Sequence, residues 1–212
     1  MTVSAQPPAI LERPEEGAHV AVLCGDAGER QALLAGYLAG ALRRGEGAVC
    51  VTAEEPEQLR ERVRDSGGSA PESGPDVEVV ATAQSYLRDG RFSGQFMVDW
   101  LAQLTAAAPA GSGLPRQCVA GVLDWVDGLD TGGFDELFRY ESTLNLLAPA
   151  GRHTLACFYD LARLPAAEVI NVLRAHPQVV ISGTVWKSPF YDDKDLRPLP
   201  LPEPGHPAGA WD

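Results

Sequence analysis

Six short, mainly apolar runs, interleaved with stretches of helical periodicity, constrain this chain more than any other feature. The runs His19–Cys24, Ala48–Thr52, Val77–Ala81, Cys118–Leu123, Thr154–Tyr159 and Val179–Ser182 are too brief for core helices, and they are continuous rather than alternating. A strand that is apolar on both faces must be covered on both faces, which is the condition of a parallel sheet between helical layers. Helical stripes are predicted over Glu29–Arg43, from Pro56 to about Arg64, from Ser93, over Phe134–Leu147, and from Pro165 to near His176. The fold class is therefore α/β, three-layered, with a mostly parallel central sheet. With 212 residues and 45% apolar content, the chain suffices for one such core. Residues 1–16 carry three prolines and little pattern and are expected to be a flexible arm. Residues 17–191 form the folded domain, and residues 192–212 form a Pro-rich tail outside the core. Asp65–Asp76 and Ala106–Pro115 are loops by their Gly, Ser, Pro and Ala content.

The first strand runs into a glycine-bearing turn, Gly25-Asp26-Ala27-Gly28, and then a helix, which is the setting of a phosphate-binding loop. The chemistry of such a loop is absent. A nucleotide cradle needs a Lys for the β/γ-phosphates and a Ser or Thr for Mg²⁺, whereas Gly25 to Gln31 offers Asp26, Glu29 and Arg30. The two lysines, Lys187 and Lys194, lie far away in sequence. Gly25, Asp26 and Gly28 thus read as a degenerate P-loop. Asp124, which ends the run Cys118–Leu123, has the place of a Walker-B carboxylate, but a Mg²⁺ ligand has little use without a phosphate to share the metal.

A formal net charge of −12 leaves no basic footprint for nucleic acid, and no Lys/Arg run exists to make one. No apolar stretch approaches a membrane span, and the N-terminus lacks the order of a signal peptide, so a cytoplasmic location is expected. Cys24, Cys50, Cys118 and Cys157 sit inside apolar runs, widely spaced, and read as reduced, buried thiols. No nucleophile elbow or exposed Cys-His pair supports covalent catalysis, and neither a catalytic group, a metal centre nor a cofactor is implied.

The polar residues that stand out are those in apolar surroundings. On the helix Phe134–Leu147 the stripe Phe134, Leu137, Phe138, Leu144 and Ala148 contains Glu141 and Asn145 in its middle. A carboxylate there must be partnered, by backbone amides or an Arg, or else line an internal pocket. His19 and His153 open strands and His176 ends a helix. Each lacks a neighbour at metal-ligand spacing, which favours a hydrogen-bonding role over a small-molecule or metal role shared with a cysteine of the sheet.

Several blocks resemble the MEDS domain, the sensory domain named after methanogen and methylotroph regulators. They are His19-Val20-Ala21-Val22-Leu23 with Glu29-Arg30 and Ala41 to Glu46; Tyr140-Glu141-Ser142-Thr143-Leu144-Asn145; Leu155-Ala156-Cys157-Phe158-Tyr159-Asp160; and His176-Pro177 with Val179 to Ile181. Their order and spacing extend over about residues 18–191. The resemblance implies a RecA/KaiC-like domain serving as a signal-input or regulatory module in bacterial transcription control, with recognition of small hydrocarbon derivatives. It marks His19, Tyr140, Glu141, Asn145, Cys157, Tyr159, Asp160 and His176 as the notable positions. Leu23-Cys24 replaces the aromatic pair that often ends strand one in relatives, and Ala156 precedes Cys157; both bear on the shape of a ligand pocket.

Two functional readings follow. One is a non-enzymatic sensory module acting through a regulatory protein partner, with a small organic ligand and without direct contact to nucleic acid or membrane. The other is a degenerate P-loop protein that binds nucleotide without efficient hydrolysis. The acidic segments Glu54-Glu55 and Asp127 to Asp130, at the carboxyl edge of the sheet, are the expected docking surface for a basic partner.

Overall fold

The computed structural model describes residues 9–68, 76–106, 116–151 and 153–202. Its centre is a seven-stranded sheet. In chain order the strands are β1 (His19–Cys24), β2 (Gly47–Thr52), β3 (Val77–Ala81), then, after a small hairpin of β4 (Leu87–Arg88) and β5 (Arg91–Phe92), β6 (Gln117–Val122), β7 (Thr154–Asp160), β8 (Gln178–Ile181) and β9 (Thr184–Lys187). The spatial order is β3-β2-β6-β7-β1-β8-β9, parallel throughout except for the antiparallel β8–β9 pair at one edge.

Helices cover both faces, as the continuous apolar strands require. On one face lie α2 (Ala27–Arg43) and α3 (Pro56–Asp65), with the single turn α1 (Ala9–Glu12) against α2. They bury Val20, Val22, Cys50, Ala120 and Phe158. On the other lie α4 (Gly94–Ala106), α5 (Thr131–Gly151) and α6 (Val169–Ala175), over Ala21, Leu23, Val49, Val119, Cys157 and Tyr159. The period of two along each strand sorts neighbouring residues to opposite layers. Helix α2 ends at Arg43 because Gly45, at φ +71°, takes the left-handed conformation that lets the Gly45 and Glu46 amides close on Leu42 and Ala41.

The three-layer α/β architecture expected from the sequence is the one found, with several differences at its margins. The arm expected through residue 16 is not loose over its described part: Leu11 is buried and the Arg44 guanidinium donates to the Glu12 carbonyl. Residues 1–8 lie outside the described residues. The otherwise exposed tail is anchored at Leu199. Leu199 is buried, its amide donates to Thr143 Oγ1 at 2.8 Å, and the Pro200 carbonyl accepts from Gln95; residues 203–212 lie outside the described residues. Hairpin β4–β5, turning through Asp89 and Gly90 at φ 51° and 73°, and strand β9, reached through Ser182-Gly183, were not expected. Both turns pair two positive-φ residues, the geometry that tight hairpins demand. Helix α5 continues past Leu147 through Pro149, and α6 starts at Val169 rather than at Pro165. Most of the loop 65–76 and all of the linker 106–115 but Ala106 lie outside the described residues.

Candidate functional site

Beneath α5 the sheet carries a closed polar cluster centred on Glu141. Three features of the fold assemble it. Strand pairing sets His19 opposite Leu155, so Cys157, two residues on, shares its face and lies one step along the sheet. Helix α5 crosses β1 and β7 with Glu141 pointing down at both. Strand β8 pairs with β1 with Val20 opposite Gln178, which brings His176, two residues earlier, beside His19; their rings lie 4.2 Å apart. Among the described residues, His19, Glu141, Cys157 and His176 each present a ligand-type atom, all within 4.8 Å of one another, and all four residues are buried.

Glu141 Oε2 is the hub. It lies 3.0 Å from His19 Nε2 and 3.4 Å from His176 Nε2, and it accepts from the Cys157 thiol at 3.3 Å. Its other oxygen, Oε1, accepts from the Tyr159 hydroxyl at 2.6 Å. Cys157 Sγ is also 3.6 Å from His19 Nε2. Around this core a second ring of contacts fixes both imidazoles. His176 Nδ1 donates to the Val172 carbonyl at 2.8 Å. The Asn145 amide nitrogen donates to the carbonyls of Glu141 and Ala175, which leaves Asn145 Oδ1 to accept from His19 Nδ1 at 3.2 Å.

Electrostatics follow from burial. Desolvation alone would raise the pKa of Glu141, but the charge of His176 and then the hydrogen bond and charge of His19 outweigh it, and the carboxyl is held well below the ordinary carboxylate range. Burial, followed by repulsion from His176, lowers His19. Burial and the Glu141 charge together push the Cys157 thiol and the Tyr159 phenol up, so both stay protonated as donors.

Two clefts approach the cluster from opposite sides. Between α5 and α6 a mostly apolar cleft walled by Phe134, Leu137, Leu164 and Val172 has Glu141 and Tyr159 at its floor. It holds about 260 Å³ of empty space, open solvent included, of which only about 10 Å³ admits the centre of a water molecule. On the other side a roomier polar cleft, with about 260 Å³ open to water centres, is lined by Glu15, Glu16, Asn145, Gln178 and Tyr191 and reaches His19.

The β1–α2 turn is a separate place with a different character. Only Gly25 and Asp26 separate the strand from the helix, too few to wrap a phosphate in the manner of a six-residue Gly-to-Gly loop. Two of its amides are already occupied: Asp26 Oδ1 accepts from the Glu29 amide at 2.9 Å, and Glu29 Oε2 accepts from the Gly25 amide at 2.8 Å. This is a capping arrangement in which the chain's own carboxylates take donors that would face an anion. Beside it Arg30 bridges Asp160 at 3.1 Å and Asp124 at 3.5 Å.

Of the residues singled out in the sequence, His19, Glu141, Asn145, Cys157, Tyr159 and His176 converge. Asp160 does not join them. One residue beyond Tyr159, it faces the α2 layer and pairs with Arg30. Tyr140 points away toward Tyr86, hydroxyl to hydroxyl at 3.5 Å, in an aromatic group with Phe92 and Trp125 that sequence reading did not connect. Backbone amides or an Arg were the expected partners of Glu141; the side-chain partners are instead two imidazoles, a thiol and a phenol. His19 and His176, without ligand-type neighbours in sequence, gain them through strand order. The sequence spacing implied no metal centre because these groups lie up to 157 positions apart, from His19 to His176; the fold places them together. His153, by contrast, lies outside the cluster and accepts from the Gln117 amide at 3.1 Å. The four thiols are free and buried, as expected. In the acidic edge segments, Glu54 is paired with Arg62 and Asp127 lies 3.8 Å from Arg163, so part of that charge is neutralised within the chain. Among the described residues no helix is long and apolar enough to cross a membrane.

No curated protein sequence matches the chain. Among solved structures, the flagellar accessory protein FlaH from Methanocaldococcus jannaschii is similar over 81% of this chain and 76% of its own, at 8% identity and a TM-score of 0.45. The family model for MEDS, the methanogen/methylotroph, DcmR sensory domain, matches residues 18–177, a span that begins beside His19 and ends beside His176. The chain belongs to the MEDS family of sensory domains.

Proposed function

We propose that the domain is a non-enzymatic sensory module of bacterial signal transduction or transcription control, which recognises a small organic molecule and acts through a protein partner. The observation that carries this reading is the α5–α6 cleft: apolar walls around one carboxylate–phenol pair, Glu141 and Tyr159. Such a site suits a short hydrocarbon body with a single polar group. The space now open would hold about one water, so a ligand enters only as α6 shifts away from α5. A ligand that binds the open arrangement alone pulls the domain toward it, and movement of the seven-residue α6 is the signal passed to the partner.

The β1–α2 turn supports the same reading against a nucleotide enzyme. Its Gly25 and Glu29 amides are taken by Glu29 and Asp26, and Arg30 holds Asp124 and Asp160 where a Mg²⁺ would need a free carboxylate. Charge favours a protein partner over DNA, since a domain at −12 repels phosphates. A thermal-shift series with short-chain alcohols, ketones and halogenated alkanes, beside Mg-ATP, tests the ligand. A member of the organic series is expected to raise the melting temperature saturably, and Val172→Phe, which fills the cleft, to abolish that rise. A shift produced by Mg-ATP alone would instead favour a nucleotide-binding domain.

A further inference from the structure

We infer that His19, Glu141, Cys157 and His176 form a tetrahedral site for a divalent transition metal of the zinc class. This goes beyond the sensory reading and does not depend on it.

Hydrogen-bond bookkeeping leads there first. A carbonyl cannot donate, so His176 Nδ1, 2.8 Å from the Val172 carbonyl, carries a proton. The Asn145 amide is oriented by two carbonyls, so His19 Nδ1, facing its oxygen, carries one as well. In its neutral form each imidazole, with its proton on Nδ1, turns the lone pair of Nε2 inward toward Glu141 Oε2. His176 Nε2 is buried and finds no hydrogen-bond partner. The cluster thus gathers two imidazole nitrogens, a carboxylate oxygen and a thiol around one centre, an arrangement that positive charge at that centre satisfies.

Distances agree with a metal as that charge. Zinc bonds of about 2.0–2.1 Å to nitrogen or oxygen and 2.3 Å to sulfur make tetrahedron edges of about 3.3 Å between nitrogen or oxygen donors and about 3.5 Å to sulfur. Four of the six edges are 3.0 and 3.4 Å from Glu141 Oε2 to the two imidazoles, 3.3 Å from Oε2 to Cys157 Sγ, and 3.6 Å from Sγ to His19 Nε2, and the other two lie within 4.8 Å. The donor set of two imidazoles, one thiolate and one carboxylate is that of a zinc-class ion rather than calcium or magnesium. The outer contacts are those that orient metal ligands: each imidazole tethered through Nδ1, and the carboxylate through Tyr159 on Oε1, leaving Oε2 for the ion. The polar cleft that reaches His19, with Glu15 and Glu16 on its wall, gives a cation a route in. On binding, a sulfur–metal bond forms, the Cys157 S–H bond breaks, and its proton leaves to solvent.

Cobalt(II) is the probe. The full chain, stripped of metal with chelator, is titrated with cobalt(II) chloride. The expected result is saturation at one ion per chain, with a thiolate-to-cobalt charge-transfer band, the intense visible bands of tetrahedral cobalt, and release of one proton per ion. Cys157→Ser is expected to lose the charge-transfer band, while Cys50→Ser, on the opposite face of the sheet, keeps it. X-ray absorption on the unmodified zinc-loaded chain covers the case in which Cys157→Ser fails to fold. It is expected to show one sulfur at about 2.3 Å and three nitrogen or oxygen neighbours at about 2.0–2.1 Å. A titration without saturation, bands unchanged by Cys157→Ser, or a shell with no sulfur or more than one would overturn the inference. None of these outcomes alters the organic-ligand thermal shifts, so the two readings fail separately.

Discussion

Glu141 is the residue on which the interior depends. Its two oxygens hold together groups from β1, β7 and the end of α6, so truncation leaves the Tyr159 phenol as a buried donor without an acceptor and the Cys157 thiol with only His19 Nε2, at 3.6 Å. Glu141→Ala is expected to cost about 3 kcal/mol or more, read as a lower denaturant midpoint at unchanged slope. An unchanged midpoint would mean the side chain is solvated. Tyr159→Phe removes one charge-assisted bond and is expected to cost about 1.5–3 kcal/mol in the same measurement. That Glu141 and Asn145 face inward was legible in the sequence, because helical spacing places them among Phe134, Leu137, Phe138 and Leu144. Their partners were not. His19 is 122 positions from Glu141, and only the order β7-β1-β8 brings it and His176 alongside.

At the scale of elements, the β1–α2 unit and the C-terminal strap carry the informative contacts. Asp26 is the N-cap of α2, and Asp26→Ala is expected to lower stability by about 1 kcal/mol without disturbing the Glu141 cluster, as far-ultraviolet melts beside near-ultraviolet spectra would report. Leu199 lies among the α4–α5 residues, close enough to Gly94 that a methyl there would meet it at 3.0 Å. Leu199→Ala is therefore expected to destabilise by about 2 kcal/mol or more in urea unfolding, whereas a tail outside the core would lose nothing. Strands β1, β2, β6 and β7 were legible because both of their faces are buried and their runs are almost wholly apolar. β9 was missed because its residues are exposed, Trp186 at 56%, and it pairs on one side only. The strap was missed for the reason that a Pro-rich composition reports the absence of regular structure but not whether a single leucine finds a groove.

The whole molecule is a sheet whose two faces have diverged in chemistry. The α2 face keeps the strand-turn-helix geometry of a phosphate site but fills its donors with Asp26 and Glu29 and ties its acids to Arg30. The α5 face buries the Glu141 cluster between two clefts. Class and layer order follow from hydrophobic pattern, which is local in sequence. The meeting of His19, Cys157 and His176 follows from strand order, which is not. The central claim is that recognition belongs to the α5 face and that the β1–α2 turn is closed to nucleotides. Amide NMR of the full chain during titration with Mg-ATP tests it most directly, because Gly25, Asp26, Ala27, Gly28 and Glu29 each report through their own N–H. The account predicts that these five resonances stay in place through millimolar nucleotide; saturable shifts centred on them would contradict it.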